Sequence, residues 1–204
     1  MRVNKKKFIY LISPNKIYKK FFKDLQKVLE TGKINFFQLR LKKYSFKHKI
    51  LIGKKIKNIC KINNVKFLIN DDPILAKRLC ADGCHLGQKD VNIKEARKIL
   101  GKKIIGITCH NSITLAKIAI KAKASYIAFG AFYSSKTKMT NHEANIKILK
   151  KIKKNTKTPI VAIGGINSEN YKNLLLNNAN FLAISGYVWN NKKYKPIEAI
   201  ERLK

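Results

Sequence analysis

Lys66-Phe67-Leu68-Ile69-Asn70 and Gly83-Cys84-His85-Leu86, joined by Asp71-Asp72-Pro73-Ile74-Leu75-Ala76-Lys77-Arg78-Leu79-Cys80-Ala81-Asp82, hold the pattern on which the whole chain is built. Each flanking run is apolar and of strand length. Between them, Asp72-Pro73 has the chemistry of a helix start: an aspartate at the positive end of the helix dipole and a proline at its first turn. A helix is expected from Pro73 to Cys80. Strand, helix and strand in immediate succession make a parallel pair with a helical crossover. Runs this continuously apolar belong to strands covered on both faces.

The same alternation extends in both directions. Strands are expected at Phe8–Ser13, Phe36–Leu41, Lys66–Asn70, Gly83–Leu86, Ile104–Thr108, Tyr126–Gly130, Ile160–Gly164 and Phe181–Ser185. Lys-rich segments with helical periodicity lie between them: Tyr18–Leu29, Phe46–Ile62, Pro73–Cys80, Ile93–Leu100, Ile113–Ala122, Ile146–Lys153, Glu169–Leu176 and Pro196–Leu203. Ser45, Asn92, Ser112 and Ser168 stand as N-caps. Eight strands each followed by a helix fit a closed (β/α)8 TIM barrel, compact at 204 residues, as a single α/β domain over 1–204. An open doubly wound sheet would carry a Gly-rich turn after its first strand, and here that turn reads Ser13-Pro14-Asn15.

Charge is the unusual feature, with 45 Lys+Arg against 11 Asp+Glu and a formal net charge of +34. The excess is almost all Lys and runs from Lys5 to Lys204, whereas base reading and bidentate phosphate clamping favour Arg. The aromatics fall mostly in the strands, not interleaved with Lys on one face, so a nucleic-acid partner is not expected. The field would still draw anionic small molecules at low ionic strength. Cys60, Cys80, Cys84 and Cys109 lack the spacing of a disulfide framework or a structural zinc site and read as reduced thiols. Lys5-Lys6-Lys7 before Phe8-Ile9-Tyr10-Leu11-Ile12 resembles a signal start, but the apolar run stops at Ser13-Pro14, short of ~7–15 residues. No run approaches the ~18 apolar residues of a membrane span. The expectation is a cytoplasmic protein without a membrane partner, with a homo-oligomer left open.

In a barrel of this kind the chemistry gathers at the carboxyl ends of the strands. Gln38, Arg40 and Lys42 share one face of the second strand, a costly arrangement in a dry core and a sensible one at a polar site. Asn70 and Asp71 end the third strand, and Asp90 follows the fourth. Two carboxylates at neighbouring strand ends suit a Mg²⁺ ion completed by substrate phosphates. Thr108 ends the fifth strand, and Ser135-Lys136-Thr137-Lys138 lies in the loop after the sixth. Gly164-Gly165 and Ser185-Gly186 end the seventh and eighth, where backbone N–H groups of this fold receive phosphate.

These segments, with Ala81-Asp82-Gly83-Cys84-His85-Leu86-Gly87-Gln88-Lys89-Asp90, resemble in order the signatures of the thiamine-phosphate synthase family from about Phe8 to Trp189. The resemblance implies joining of hydroxymethylpyrimidine diphosphate to hydroxyethylthiazole phosphate, with loss of diphosphate and with Mg²⁺ as cofactor. It implies Asp71 and Asp90 as metal ligands, and Arg40, Thr108 and Lys138 as the catalytic groups. Arg40, Lys42, Asn70, Thr108 and Lys138 would hold the pyrimidine diphosphate, with Gln38 beside its ring and Leu39 and Leu41 in the same segment. Ser135, Lys136, Thr137, Gly165, Ile184 and Ser185 would complete the substrate site on the side of the thiazole phosphate. Leu41 stands for a usual Glu, Thr108 for Ser, Ser135 for Thr, and Ala131 and Ser134 for prolines, the last two expected to loosen their loop. The same barrel also carries thiazole tautomerases, which have no leaving diphosphate to neutralise.

Overall fold

The computed structural model describes residues 7–134 and 143–204. Eight parallel strands, β1 (Ile9–Ile12), β2 (Ile34–Leu39), β3 (Lys66–Asn70), β4 (Gly83–Leu86), β5 (Ile104–Thr108), β6 (Tyr126–Phe129), β7 (Ile160–Ile163) and β8 (Phe181–Ile184), close in sequence order into a barrel. Closure is made where β1 pairs with β8, with Leu11 opposite Ile184. Helices α1 (Phe21–Glu30), α2 (Phe46–Ile62), α3 (Pro73–Arg78), α4 (Ile93–Leu100), α5 (Ile113–Lys121), α6 (Lys147–Lys153), α7 (Tyr171–Leu176), α8 (Gly186–Trp189) and α9 (Pro196–Glu201) complete the described elements.

The period of two along each strand sorts side chains into two cores. Odd-numbered β1 residues Ile9 and Leu11 join Phe37, Leu39, Phe67, Ile69 and their neighbours in the layer between barrel and helices. Tyr10, Leu68, Tyr126, Ala128, Val161 and Ala183 fill the barrel interior, with Phe36, Ile104 and Phe181 packed against them. The inner rings meet edge to face, as with Phe36 and Phe181 at 5.0 Å between centroids. Gly106 makes room for this ring cluster: a Cβ there would lie 1.9 Å from Cζ of Tyr126.

The helix starts follow local capping chemistry. Ser45, Asp72, Asn92 and Ser112 each accept, through the side chain, a backbone N–H three residues on. Ser168 does not cap α7, which begins at Tyr171 after Asn170. Asn167 intervenes: its Oδ1 accepts from the N–H groups of Glu169 and Asn170, and a tight turn forms where a first helical turn was expected. Strand β2 ends at Leu39, two residues before the expected Leu41. The short α8 was not legible, since four residues beginning with glycine carry almost no helical signal.

Asn92→Ala should lower stability by about 1 kcal/mol, the usual value of an N-cap, and Ser168→Ala should stay within about 0.5 kcal/mol of the parent. Urea denaturation of the two variants side by side checks this. Equal losses would contradict the capping assignment.

Candidate active site

The site is built from the carboxyl ends of adjacent strands. Although β2 ends at Leu39, its alternation continues: Leu39 and Leu41 are buried in the outer core, Gln38 inside the barrel, and Arg40 and Lys42 lead toward solvent. Arg40 is tied to the loop after β1, its backbone N–H donating to Ser13 Oγ at 2.9 Å and its Nη1 to Asn15 Oδ1 at 2.9 Å. Burial lowers the pKa of its guanidinium, and the charge of Asp71 opposes that shift. An arginine keeps its charge through such a shift.

Asp71 follows β3 with a left-handed φ of 64°. Aspartate tolerates that region better than most residues. Its N–H donates to the carbonyl of His85 on β4 at 2.8 Å, and its carboxylate takes the Lys42 ammonium at 3.1 Å. Asp90 is held from the other side, its Oδ2 accepting from the N–H of Gly87 at 2.7 Å. Burial pushes the Asp90 carboxyl above the ordinary aspartate range; the Gly87 N–H counters this, hydrogen bonding and charge from Asp71 add to it, and Lys42 opposes it. The two carboxylates therefore meet, as the sequence led one to expect. They are hard oxygen donors, and no group of three or more His, Cys, Asp or Glu that could hold a metal occurs among the described residues. Such a pair fits a cation of the Mg²⁺ kind, which takes one or two carboxylates and fills its shell with phosphate and water oxygens.

Beneath this mouth a chain of hydrogen bonds crosses the barrel. Gln38 Nε2 donates to Asn70 Oδ1 at 2.5 Å, and Tyr10 donates to Gln38 Oε1 at 2.7 Å. The Tyr10 and Tyr126 hydroxyls lie 2.8 Å apart. Tyr126 is 2.9 Å from His85 Nδ1, and His85 Nε2 is 2.7 Å from Thr108 Oγ1. Burial raises the pKa of both phenols well above the usual tyrosine value. The chain brings together three expected site residues, Gln38, Asn70 and Thr108, with three that were not assigned roles. Tyr10 and Tyr126 sit in apolar strands and read as core, and His85 lay unassigned within its motif. The available signal was parity: Tyr10 and Gln38 both point inward.

The opposite side is organised around β7 and β8. Gly165 has φ 61°, and a Cβ there would come 2.4 Å from the carbonyl of Ser134, so the loops after β6 and β7 touch. Ala131 is held rather than loose, its carbonyl accepting from Ala144 N at 2.7 Å and its methyl lying where a Gly164 Cβ would collide at 2.4 Å. Ser185 donates to the carbonyl of Ser13 at 3.1 Å, linking this side to the loop that holds Arg40. Ile184, like Leu39 and Leu41, turns its side chain into the outer core, so these three can offer a ligand their backbone only. Ser135, Lys136, Thr137 and Lys138 lie outside the described residues. A cleft of about 470 Å³ opens beside the mouth, lined by Lys42, Asn70, Asp71 and apolar side chains from β2, β3 and the following helices.

With this geometry in hand, comparison with known proteins is direct. Residues 9–188 match the family model described as thiamine monophosphate synthase. The thiamine-phosphate synthase of Pelagibacter ubique is 66% identical over 207 residues, covering 100% of both chains. That of Erythrobacter litoralis is 40% identical over 196 residues, covering 94% of this chain and 92% of its own. The solved thiamine phosphate pyrophosphorylase of Pyrococcus furiosus superposes with a TM-score of 0.86 at 27% identity, over 97% of this chain and 94% of that one.

The meeting of Asp71 and Asp90 has a measurable cost. An Asp whose folded-state pKa is raised is favoured when protonated, so its penalty is absent below the unfolded pKa of about 3.9 and grows as pH rises through the folded value. Asp90→Asn keeps an acceptor for Gly87 and removes the like charge. In metal-free buffer at pH 7 it should raise Tm by roughly 1–2 °C, a scale suited to a partly solvated pair. The gain should vanish toward pH 4. A lower Tm at pH 7 would show that the pair is not strained.

Proposed function

The chain belongs to the thiamine monophosphate synthase family, and from that premise we propose that it condenses hydroxymethylpyrimidine diphosphate with hydroxyethylthiazole phosphate, releasing diphosphate and forming thiamine phosphate. The observation that carries this reading is the pairing of Asp71 and Asp90 beside Lys42 and Arg40 at the barrel mouth. An enzyme acting on the thiazole alone has no departing diphosphate for such a cluster to serve.

Departure of diphosphate builds negative charge on the oxygen leaving the methylene carbon, and the protein's main task is to stabilise and position that group. Arg40, anchored at both its backbone and its guanidinium, presents a fixed positive charge with little left to reorganise. Lys42 is shared with Asp71 and can turn to phosphate oxygens. Asn70 accepts from Gln38 and retains its amide N–H groups for the same anion. Asp71 and Asp90 would hold Mg²⁺, which supplies charge neutralisation of the diphosphate when bound. Gln38 would lie beside the pyrimidine ring. On the far side, the backbone at Gly165 and Ile184 and the Ser185 hydroxyl would receive the thiazole phosphate, with Ser135, Lys136 and Thr137. Lys138 would act on the diphosphate, since the hydroxyls of its loop suffice for a single phosphate and leave its charge for a second anion.

Thiamine phosphate formation from the two substrates should require Mg²⁺, and Asp71→Ala and Asp90→Ala should each abolish it while the melt remains cooperative. Full turnover in excess chelator would overturn the metal assignment.

Lys138→Ala should lower kcat by about 10²-fold or more, the scale for losing one preorganised charge contact. The KM for the thiazole phosphate should change little. A large rise in that KM with kcat intact would move Lys138 to the other phosphate.

A further inference from the structure

The chain of hydrogen bonds inside the barrel has a direction, because each hydroxyl has one proton to give. Tyr10 gives its proton to Gln38 Oε1. The contact between the two phenols must then be donated by Tyr126. With its proton committed, Tyr126 can only accept from His85, so the neutral imidazole carries its proton on Nδ1. Its Nε2 is then the acceptor, and Thr108 donates to it. Five contacts thus form a single polarised series from Thr108 to Asn70, and no member reverses unless the others do.

Gln38 is the member that this polarity orients. A side-chain amide is nearly symmetric in shape, so only hydrogen-bond partners decide which end is oxygen. Tyr10 takes one lone pair of Oε1, and Asn70 takes one proton of Nε2. One lone pair and one N–H remain, side by side and in fixed order. An aminopyrimidine edge, with its exocyclic amine as donor next to a ring nitrogen as acceptor, matches that order. The oxo analogue presents the reverse, a carbonyl acceptor next to a ring N–H, and would match Gln38 only with its amide flipped. A flip would turn N–H groups toward Tyr10 and an oxygen toward Asn70 Oδ1, an unpaired arrangement in an interior where Gln38 is 2% and Tyr10 1% exposed.

We propose that Tyr10, backed by Tyr126, is a specificity-determining positioning residue: its donated hydrogen bond locks the Gln38 amide so that the site takes an aminopyrimidine diphosphate and rejects the oxopyrimidine. The proposal rests on the reading of the substrate given above. Buried phenols suit the task, since they stay protonated and have no water with which to exchange partners. The packing is equally specific: Tyr126 lies over Gly106, and Tyr10 is braced by Phe36 at 5.4 Å between ring centroids.

The experiment is the ratio of kcat/KM for the 4-amino and 4-oxo pyrimidine diphosphates, measured with a constant thiazole phosphate concentration. A ratio does not depend on the fraction of enzyme folded, so it separates orientation from stability. The parent should favour the amino substrate by about 10²-fold or more, as sites built on paired hydrogen bonds do. Tyr10→Phe should reduce that preference by about tenfold or more, and Tyr126→Phe, which frees Tyr10 to accept, should reduce it by a smaller factor. Phe36→Leu disturbs the same packing without touching a polar atom and should leave the ratio unchanged. An unchanged ratio in both tyrosine variants overturns the proposal, as does an equal loss in Phe36→Leu. Failure of the parent to form thiamine phosphate from the amino substrate would instead remove the functional reading, and the proposal with it.

Discussion

Closing the sheet between β1 and β8 leaves a barrel interior with neither edge nor water, so any polar atom placed there must find its partner on another strand. Tyr10, Gln38, Asn70, His85, Thr108 and Tyr126 come from six different strands and satisfy one another. Their mutual satisfaction depends on the register that closure imposes. Asn70 stands opposite His85, and His85 opposite Gly106, whose missing side chain admits the Tyr126 ring. A shift of one residue in any of these pairings would turn the polar group outward into the apolar layer.

Electrostatics acts on top of that frame. Among 11 acidic residues in a chain of net charge +34, two are held close enough for Asp71 to help raise the pKa of the other. A surface so basic offers many partners for carboxylates, yet this pair has Lys42 and each other. Stability alone does not favour the arrangement, and a site that waits for a cation explains it. The general excess of Lys contributes differently, as a diffuse field that attracts anionic substrates without specifying them.

Between the two sides of the mouth stands Ser13. Its hydroxyl accepts from Arg40 N, and its carbonyl accepts from Ser185. The residues assigned to diphosphate and to thiazole phosphate therefore share one buried support, 1% exposed, in a turn that sequence reading treated only as lacking a dinucleotide motif. Its neighbour Asn15 holds the Arg40 guanidinium.

By itself the sequence determined the architecture and the identity of the charged groups. Apolar runs alternating with helical periodicity are local signals, and β3, β4, β5, α2 and α4 appear where expected, to the residue. Three of the four expected serine and asparagine caps were legible for the same reason, since an N-cap depends on its next three residues. Ser168 failed because the competing turn at Asn167 is equally local and stronger. The grouping of Asp71 with Asp90 followed from strand order. Only the tertiary structure decided which polar residues act through one another. Tyr10 and Tyr126 are 116 positions apart and look like core in any window of sequence, and their contact exists because strands β1 and β6 face each other across a closed barrel. The same closure sends Leu39, Leu41 and Ile184 outward while Gln38 turns inward, because alternate side chains of a barrel strand cannot share a side.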